Sequence, residues 1–132
     1  MVKDLGEKMP LVQGASAPKF SLPHATFTGL AAPSRGSSEN SVWRVELAPH
    51  AEPVPHSLSR EEIFIAVSGK ALATVGGEQH EVTPGDALIV PAGQTLSLAN
   101  PHPEPFAAVC VFPVGGQAKT AEGEVITPPW AA

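Results

Sequence analysis

Two residues in the segment PHSLSREEIF, His56 and Glu62, have side chains that could transfer protons or bind a metal ion. An imidazole titrates near neutral pH, and a carboxyl beside it completes an acid/base couple. A stable transition-metal site draws on at least three protein donors. Leu58 stands between the two and has no lone pair to offer. The segment therefore predicts an acid/base pair, and only two ligands if a metal is bound.

The composition predicts one globular domain built from short strands. The chain has 132 residues, of which 42% are hydrophobic and 16% charged. This length is enough for one core and too short for two. Its 15 prolines and 12 glycines interrupt apolar runs instead of clustering, which is typical of strands joined by turns.

The charge and the cysteine content argue against several classes of protein. With a net charge of −5 and only eight lysines and arginines, a basic face for nucleic acid is not expected. A single cysteine, Cys110, cannot form an internal disulfide and fits a reducing compartment. The first residues, MVKDLGEKMP, carry charges where a signal peptide needs an apolar stretch, and no apolar run is long enough to span a bilayer. We expect a cytoplasmic protein without a membrane partner.

Alternation along the chain predicts an all-β fold. In SVWRVELA (41–48), every second residue is apolar, as in a half-buried strand. EEIFIAVSGKALATV (61–75) reads as strand, turn and strand, and Gly76-Gly77 then signals a tight hairpin. We count roughly eight to ten strands, as expected of a sandwich or barrel. The expected organisation is a flexible arm (1–18), a barrel domain (19–114) and a tail (115–132), with Trp130 docked on the barrel or on a partner.

The motif spacing resembles that of the cupin family, whose fold is a double-stranded β-helix or jelly-roll barrel. Its first motif, G-x5-H-x-H-x3-4-E-x6-G, is matched by His56, Glu62 and Gly69, with His50 in place of the first glycine and Leu58 in place of the second histidine. Its second motif, G-x5-P-x-G-x2-H-x3-N, is matched by Gly85, Pro91, Gly93 and Asn100, with Leu96 in place of the histidine. The resemblance covers about residues 40 to 112.

The resemblance implies a barrel interior with an incomplete metal site. His56 and Glu62 would face a pocket whose remaining lining is Leu58, Phe64, Leu96, Leu98 and Asn100. No cofactor is expected, although a divalent transition metal remains an alternative if a histidine from elsewhere (His24, His50, His80 or His102) leans in. A carboxylate in an apolar barrel needs a partner, and His56 is the expected one. The sequence assigns no role to Cys110.

Three functions remain open at this point. The preferred one is a barrel that binds a small organic molecule without a complete metal site, with His56 and Glu62 as its acid/base pair. The alternatives are a metal-dependent cupin enzyme of dioxygenase or isomerase type, with an unconventional ligand set, and a non-catalytic structural barrel. Ile63, Ile65 and Val67, on the other face of the Glu62 strand, are also apolar. Because a solvated face would be polar, we expect a cover there, and a homodimer is the expected form.

Overall fold

Two six-stranded antiparallel sheets face each other in the computed structural model, which describes residues 10–132. The twelve strands are β1 (Lys19–Leu22), β2 (Ala25–Ala31), β3 (Asn40–Leu47), β4 (His56–Leu58), β5 (Glu62–Ser68), β6 (Ala71–Val75), β7 (Glu78–Val82), β8 (Ala87–Val90), β9 (Thr95–Ala99), β10 (Phe106–Pro113), β11 (Ala118–Thr120) and β12 (Val125–Ile126). The first sheet has the order β1-β2-β3-β10-β5-β8 and the second β12-β11-β4-β9-β6-β7. The predicted all-β jelly-roll architecture is confirmed.

Helical structure in the described residues is limited to three single 3₁₀ turns, Gly14–Ser16, Pro33–Arg35 and Pro129–Ala131. Strands outnumber the predicted eight to ten for two local reasons. A turn at Pro23 and His24 divides the segment 19–31 into two strands, β1 and β2. Beyond Pro113, the segment predicted as a tail forms β11 and β12, and β11 pairs with β4. Residues 1–9 of the predicted arm lie outside the described part of the chain.

The alternation seen in the sequence places side chains as expected. Trp43, Val45 and Leu47 of β3 are buried against the core, while Glu46 is exposed. Glu62, Phe64 and Ala66 of β5 are buried as well. The core lies between the sheets, where β3, β5 and β10 contribute most of the large buried side chains.

Turn chemistry in the sequence determines where the strands end. Gly76 and Gly77 have φ of 57° and 89°, the conformation that the predicted hairpin requires. The motif glycine Gly69, with φ of 72°, passes so close to Pro105 that a Cβ would lie 2.1 Å from its carbonyl oxygen. Asp86 accepts hydrogen bonds from the backbone N–H of Thr83 at 2.9 Å and from its hydroxyl at 3.1 Å, which closes the turn before β8.

Candidate functional site

The Glu62 carboxyl lies inside the barrel among apolar side chains. Glu62 is the first residue of β5, pairs with Val90 of β8, and is only 3% exposed. Val90 and Phe112, which is close to Glu62 in register on β10, are both fully buried. The strand pairing thus sets one carboxyl on an apolar inner surface.

Burial controls the protonation of Glu62. Desolvation raises the pKa of its carboxyl from 4.5 to about 8, because the apolar interior penalises the charged form. Among the described residues, no hydrogen bond or ion pair to its side chain offsets this penalty. At neutral pH the group is therefore mainly a neutral acid, which can both donate and accept a hydrogen bond.

Cys110 shares this interior. It is completely buried on β10, where it pairs with Phe64 of β5. Phe64 follows Glu62 by two residues along β5. Burial, and secondarily the negative charge of an ionised Glu62, raises the pKa of its thiol well above the usual value. The thiolate is the nucleophilic form of cysteine, so Cys110 is an inert apolar filler at neutral pH.

His56 does not form the predicted hydrogen bond with Glu62. It is half-buried on β4, in the second sheet, whereas Glu62 belongs to the first sheet. Its Nδ1 lies 3.0 Å from the carbonyl oxygen of Val54, to which it donates when protonated. Within residues 10–132, no contact of 4.0 Å or less links the His56 ring to the Glu62 carboxyl. The expected direct pairing is corrected accordingly, while an acid/base role for either residue stays a prediction.

The other two ligand positions of the motif are part of the hydrophobic core. Leu58 is 5% exposed and Leu96 is fully buried, and Leu96 pairs with His56 across β4 and β9. The described part of the chain contains no cluster of three histidine, cysteine, aspartate or glutamate side chains that could hold a metal ion. A donor set of one imidazole and one carboxyl, on opposite sheets, does not fit a transition-metal centre.

The remaining histidines lie at the surface. His24 and His50 are exposed. His80 Nε2 lies 3.7 Å from a Glu78 carboxylate oxygen, and His102 Nε2 lies 3.6 Å from one of Glu81. All four thus stay outside the barrel interior in this structure.

The predicted pocket-lining residues divide into two groups. Leu58, Phe64 and Leu96 are buried in the core, and Leu98 packs against them half-buried. Asn100 is fully buried, and its polar atoms are committed to the backbone: Nδ2 donates to the carbonyl oxygens of Glu104 at 2.7 Å and Ala48 at 3.2 Å, and Oδ1 accepts from the His102 N–H at 3.1 Å. The Asn100 amide therefore holds the turn after β9. Of these two buried side chains, only the Glu62 carboxyl has no hydrogen-bond partner among the described residues.

Two depressions on the surface of the described chain are not lined by Glu62. One of about 390 Å³ lies beside the turn after β9 and is lined by Gly69, Lys70, Pro84, His102, Pro103 and Glu104. A second, of about 290 Å³, lies over the ends of β7 and β8. Both are shallow and exposed.

A second cluster, around Trp130, was only partly foreseen. The tail tryptophan was expected to dock, and its indole stacks on Phe27 with ring centroids 3.7 Å apart. Arg35 and Ser41 contact the same tail, and the sequence analysis predicts neither contact. The contacts join residues about 90 positions apart, so no local pattern could have revealed them.

No described helix is long and apolar enough to cross a membrane.

Comparison with known proteins agrees with this geometry. The family described as Cupin domain matches residues 43–112. Vicilin GC72-A of Gossypium hirsutum is 31% identical over 70 residues, which are 50% of this chain and 12% of that protein. The chain thus spans a small fraction of that curated relative.

Solved structures with the same fold include enzymes and globulins. The polyketide cyclase RemF of Streptomyces resistomycificus has a TM-score of 0.74 and 18% identity, covering 86% of this chain and 85% of its own. The 7S globulin of Momordica charantia has a TM-score of 0.72 and 22% identity, covering 86% and 38%. Salicylate 1,2-dioxygenase of Pseudoaminobacter salicylatoxidans has a TM-score of 0.66 and 16% identity, covering 79% and 31%. With the family match over residues 43–112 and this shared architecture, the chain belongs to the cupin domain family.

Proposed function

We propose that this cupin barrel binds a small organic molecule in its apolar interior, with the neutral carboxyl of Glu62 as its single polar handle and without a complete metal site. The observation that carries the proposal is Glu62 itself, 3% exposed, with a pKa of about 8 and no hydrogen-bond partner among the described residues. A buried polar group without a partner costs free energy, which a ligand hydroxyl or carbonyl would offset. Apolar walls with one oriented polar group are typical of small-molecule sites.

The similarity to a polyketide cyclase of nearly the same length supports this choice over a purely structural role, since that protein is an enzyme of one such barrel. The structural alternative is favoured by the burial of Leu58, Phe64 and Leu96, which fill much of the interior. A metal-dependent enzyme is the least favoured alternative, and metal analysis of the purified protein tests it directly.

Binding of p-cresol and toluene discriminates between the ligand-binding and structural proposals. The two probes have the same shape, but only p-cresol has a hydroxyl that can pair with the Glu62 carboxyl. We expect p-cresol to raise the melting temperature more than toluene does. The preference should persist in Glu62→Gln, which keeps a donor and an acceptor, and disappear in Glu62→Leu. The exposed neighbour Glu61 offers the matched control Glu61→Leu, which should keep the preference. If neither probe binds the folded wild type, the barrel is a plugged structural one.

We also propose that two copies of the chain pair through the outer face of the first sheet. Strand register puts Ile89, Ile63, Val111 and Val42 in one row across β8, β5, β10 and β3. Ile65, Val67 and Ile89 are 39%, 47% and 57% exposed within the single chain. Arg44 and Glu46 flank this surface on β3 with opposite charges, so a two-fold contact can bring unlike charges together. An apolar surface of this kind favours a second copy as its cover.

A further inference from the structure

The C-terminal segment after β12 occupies an aromatic site on the inner side of the first sheet. The segment leaves the edge of the second sheet at Ile126 and reaches β2 and β3 through the 3₁₀ turn Pro129–Ala131. There the Trp130 indole lies parallel to the Phe27 ring, with an interplanar angle of 3°. Phe20 and Trp43 flank it at centroid distances of 6.3 Å and 6.5 Å, both tilted by about 60°. The indole of Trp130 is thus in contact with three other aromatic rings.

Polar side chains next to these rings bind the backbone of the same segment. Arg35 Nη2 donates to the carbonyl oxygen of Trp130 at 3.3 Å. Ser41 Oγ, fully buried, donates to that of Ala131 at 2.7 Å, and Ser34 Oγ to that of Ala132 at 2.7 Å. The Trp130 indole is therefore held against aromatic rings, while its backbone carbonyl oxygen accepts a hydrogen bond from the Arg35 guanidinium.

The guanidinium has more hydrogen-bonding capacity than the segment uses. Arg35 Nε is fully buried and has no hydrogen-bond partner among the described residues. Arginine presents its N–H groups as a fork that fits the two oxygens of a carboxylate, and such charge-assisted pairs are stronger than a bond to a neutral carbonyl. The backbone carbonyl of Trp130 is thus a weaker partner for Arg35 than a carboxylate would be.

The sequence makes room for this arrangement at Gly29. A Cβ there would lie 2.6 Å from Arg35 Nη2 and 3.3 Å from the Trp130 carbonyl oxygen, so a side chain would push both away. The register between β2 and β3 also shifts between Gly29 and Ala31, where a bulge bends the strand. The glycine and the bulge therefore let the guanidinium and the tail approach the strand.

We propose that the Trp130 site is a second ligand site, and that it accepts a planar aromatic carboxylate whose ring takes the place of the indole and whose carboxylate pairs with Arg35. The segment 127–132 acts as a built-in competitor that occupies the site until such a ligand displaces it. The proposal is independent of Glu62 and of the proposed function of the barrel interior. The tail occupies the site in the free protein. The apparent affinity for the ligand is therefore the affinity of the open site multiplied by the fraction of molecules in which the tail is displaced.

Displacement can be measured in the wild-type protein by NMR. The chain has two tryptophans, Trp43 and Trp130, so only two indole N–H resonances need assignment. The probes are indole-3-acetate and indole-3-ethanol, which share a ring but differ in charge. We expect indole-3-acetate to move the Trp130 resonance saturably toward its position in an unstructured peptide. The alcohol should do so only at a concentration about tenfold or more higher, since it lacks the charged partner for Arg35.

Two variants test the roles of the tail and the guanidinium. Trp130→Ala removes the competing ring and should bind indole-3-acetate about tenfold or more tightly than the wild type. Arg35→Gln should lose the preference for the acetate over the alcohol. Lys70→Gln removes the same charge at an exposed position distant from the tail and should keep that preference. If Trp130→Ala does not fold, the wild-type titration and the Arg35 and Lys70 variants still decide.

An unchanged Trp130 resonance at millimolar indole-3-acetate overturns the proposal. So does equal binding of the acetate and the alcohol, or an equal loss of preference in Arg35→Gln and Lys70→Gln. None of these results bears on the barrel interior, which is judged separately with p-cresol and the Glu62 variants.

Discussion

At the scale of single residues, the most unusual feature is the Glu62 carboxyl, an ionisable group in an apolar interior. Glu62 keeps the glutamate of the cupin motif, but the two leucines at 58 and 96 remove the donors that would accompany it. The carboxyl is left in an apolar interior, and burial raises its pKa to about 8. A motif residue has thus become a neutral acid instead of an anionic ligand.

The raised pKa of Glu62 predicts a specific pH dependence of folding. Between pH 4.5 and 8 the folded state keeps the Glu62 proton, while the unfolded chain loses it. Stability should therefore fall as the pH rises through this window, by about 2 kcal/mol from pH 6 to pH 8, and level off above 8. Urea unfolding at several pH values measures it. Glu62→Gln should remove this slope, and Glu61→Gln, at an exposed neighbour, should keep it. Equal slopes in the two variants would contradict the shift.

His50 has a left-handed backbone conformation, which glycine adopts more readily than residues with a side chain. It stands where the first cupin motif has glycine, and its φ of 61° makes it the single non-glycine residue of positive φ between residues 10 and 132. A side chain in this conformation costs roughly 1 kcal/mol or more. His50→Gly should therefore stabilise the protein by about 1 kcal/mol in chemical denaturation. Glu52→Gly, at an exposed position without positive φ, is the control and should not stabilise.

At the scale of elements, the segment predicted as a tail is an integral part of the fold. β11 extends the second sheet through its pairing with β4, and the following turn carries Trp130 to the first sheet. The two sheets are thereby joined along one edge by hydrogen bonds at one end and aromatic packing at the other. A mutation in the tail should accordingly change the stability of the whole barrel.

Truncation after Thr127 should lower the free energy of unfolding by about 1 to 3 kcal/mol. It removes the Trp130 stacking and leaves the buried Ser41 hydroxyl without its acceptor. Trp130→Phe should lose less than Trp130→Ala, because it keeps a ring on Phe27. The control, Val125→Ala at a tail position 56% exposed, should change stability by less than about 0.5 kcal/mol. Unchanged melting of the truncated protein would show that the tail is not docked in solution.

At the scale of the whole molecule, the outer face of the first sheet is an uncovered apolar surface of the described chain. The inner face carries the core, as in any two-sheet fold. The outer face of β5 and β8 is apolar as well, although nothing in the single chain covers Ile65, Val67 or Ile89. A sheet face that is exposed to water carries mostly polar side chains, whereas the outer face of β5 and β8 does not.

The proposed dimer predicts a mass near twice that of the 13.6 kDa chain in light scattering at micromolar concentration. Ile65→Lys combined with Ile89→Lys should return the mass to that of the monomer while the circular dichroism stays unchanged. Leu22→Lys, at an exposed apolar residue on the opposite edge of the same sheet, should leave the dimer intact. A monomeric wild type, or a dimer that survives the double substitution, would refute this interface.

The amino-acid sequence by itself determined most of the strands between residues 40 and 113, the turns that join them, and the family. These features act through the local backbone. The alternation in 41–48 depends on which side of the strand each side chain points to, and the paired glycines at 76 and 77 and the motif glycines depend on the φ of single residues. The same local reasoning placed Glu62, Phe64 and Leu96 in the interior, as the structure confirms.

Only the tertiary structure decided which polar groups meet. His56 and Glu62 are six residues apart, but they belong to different sheets and do not touch, whereas Arg35 and Trp130 are 95 residues apart and share a hydrogen bond. The Asn100 amide likewise binds backbone groups of two chain segments, at Ala48 and at residues 102–104. Such contacts depend on how the sheets pack and on the path of the tail between them. Both depend on the order of the strands in space, which sequence spacing does not determine.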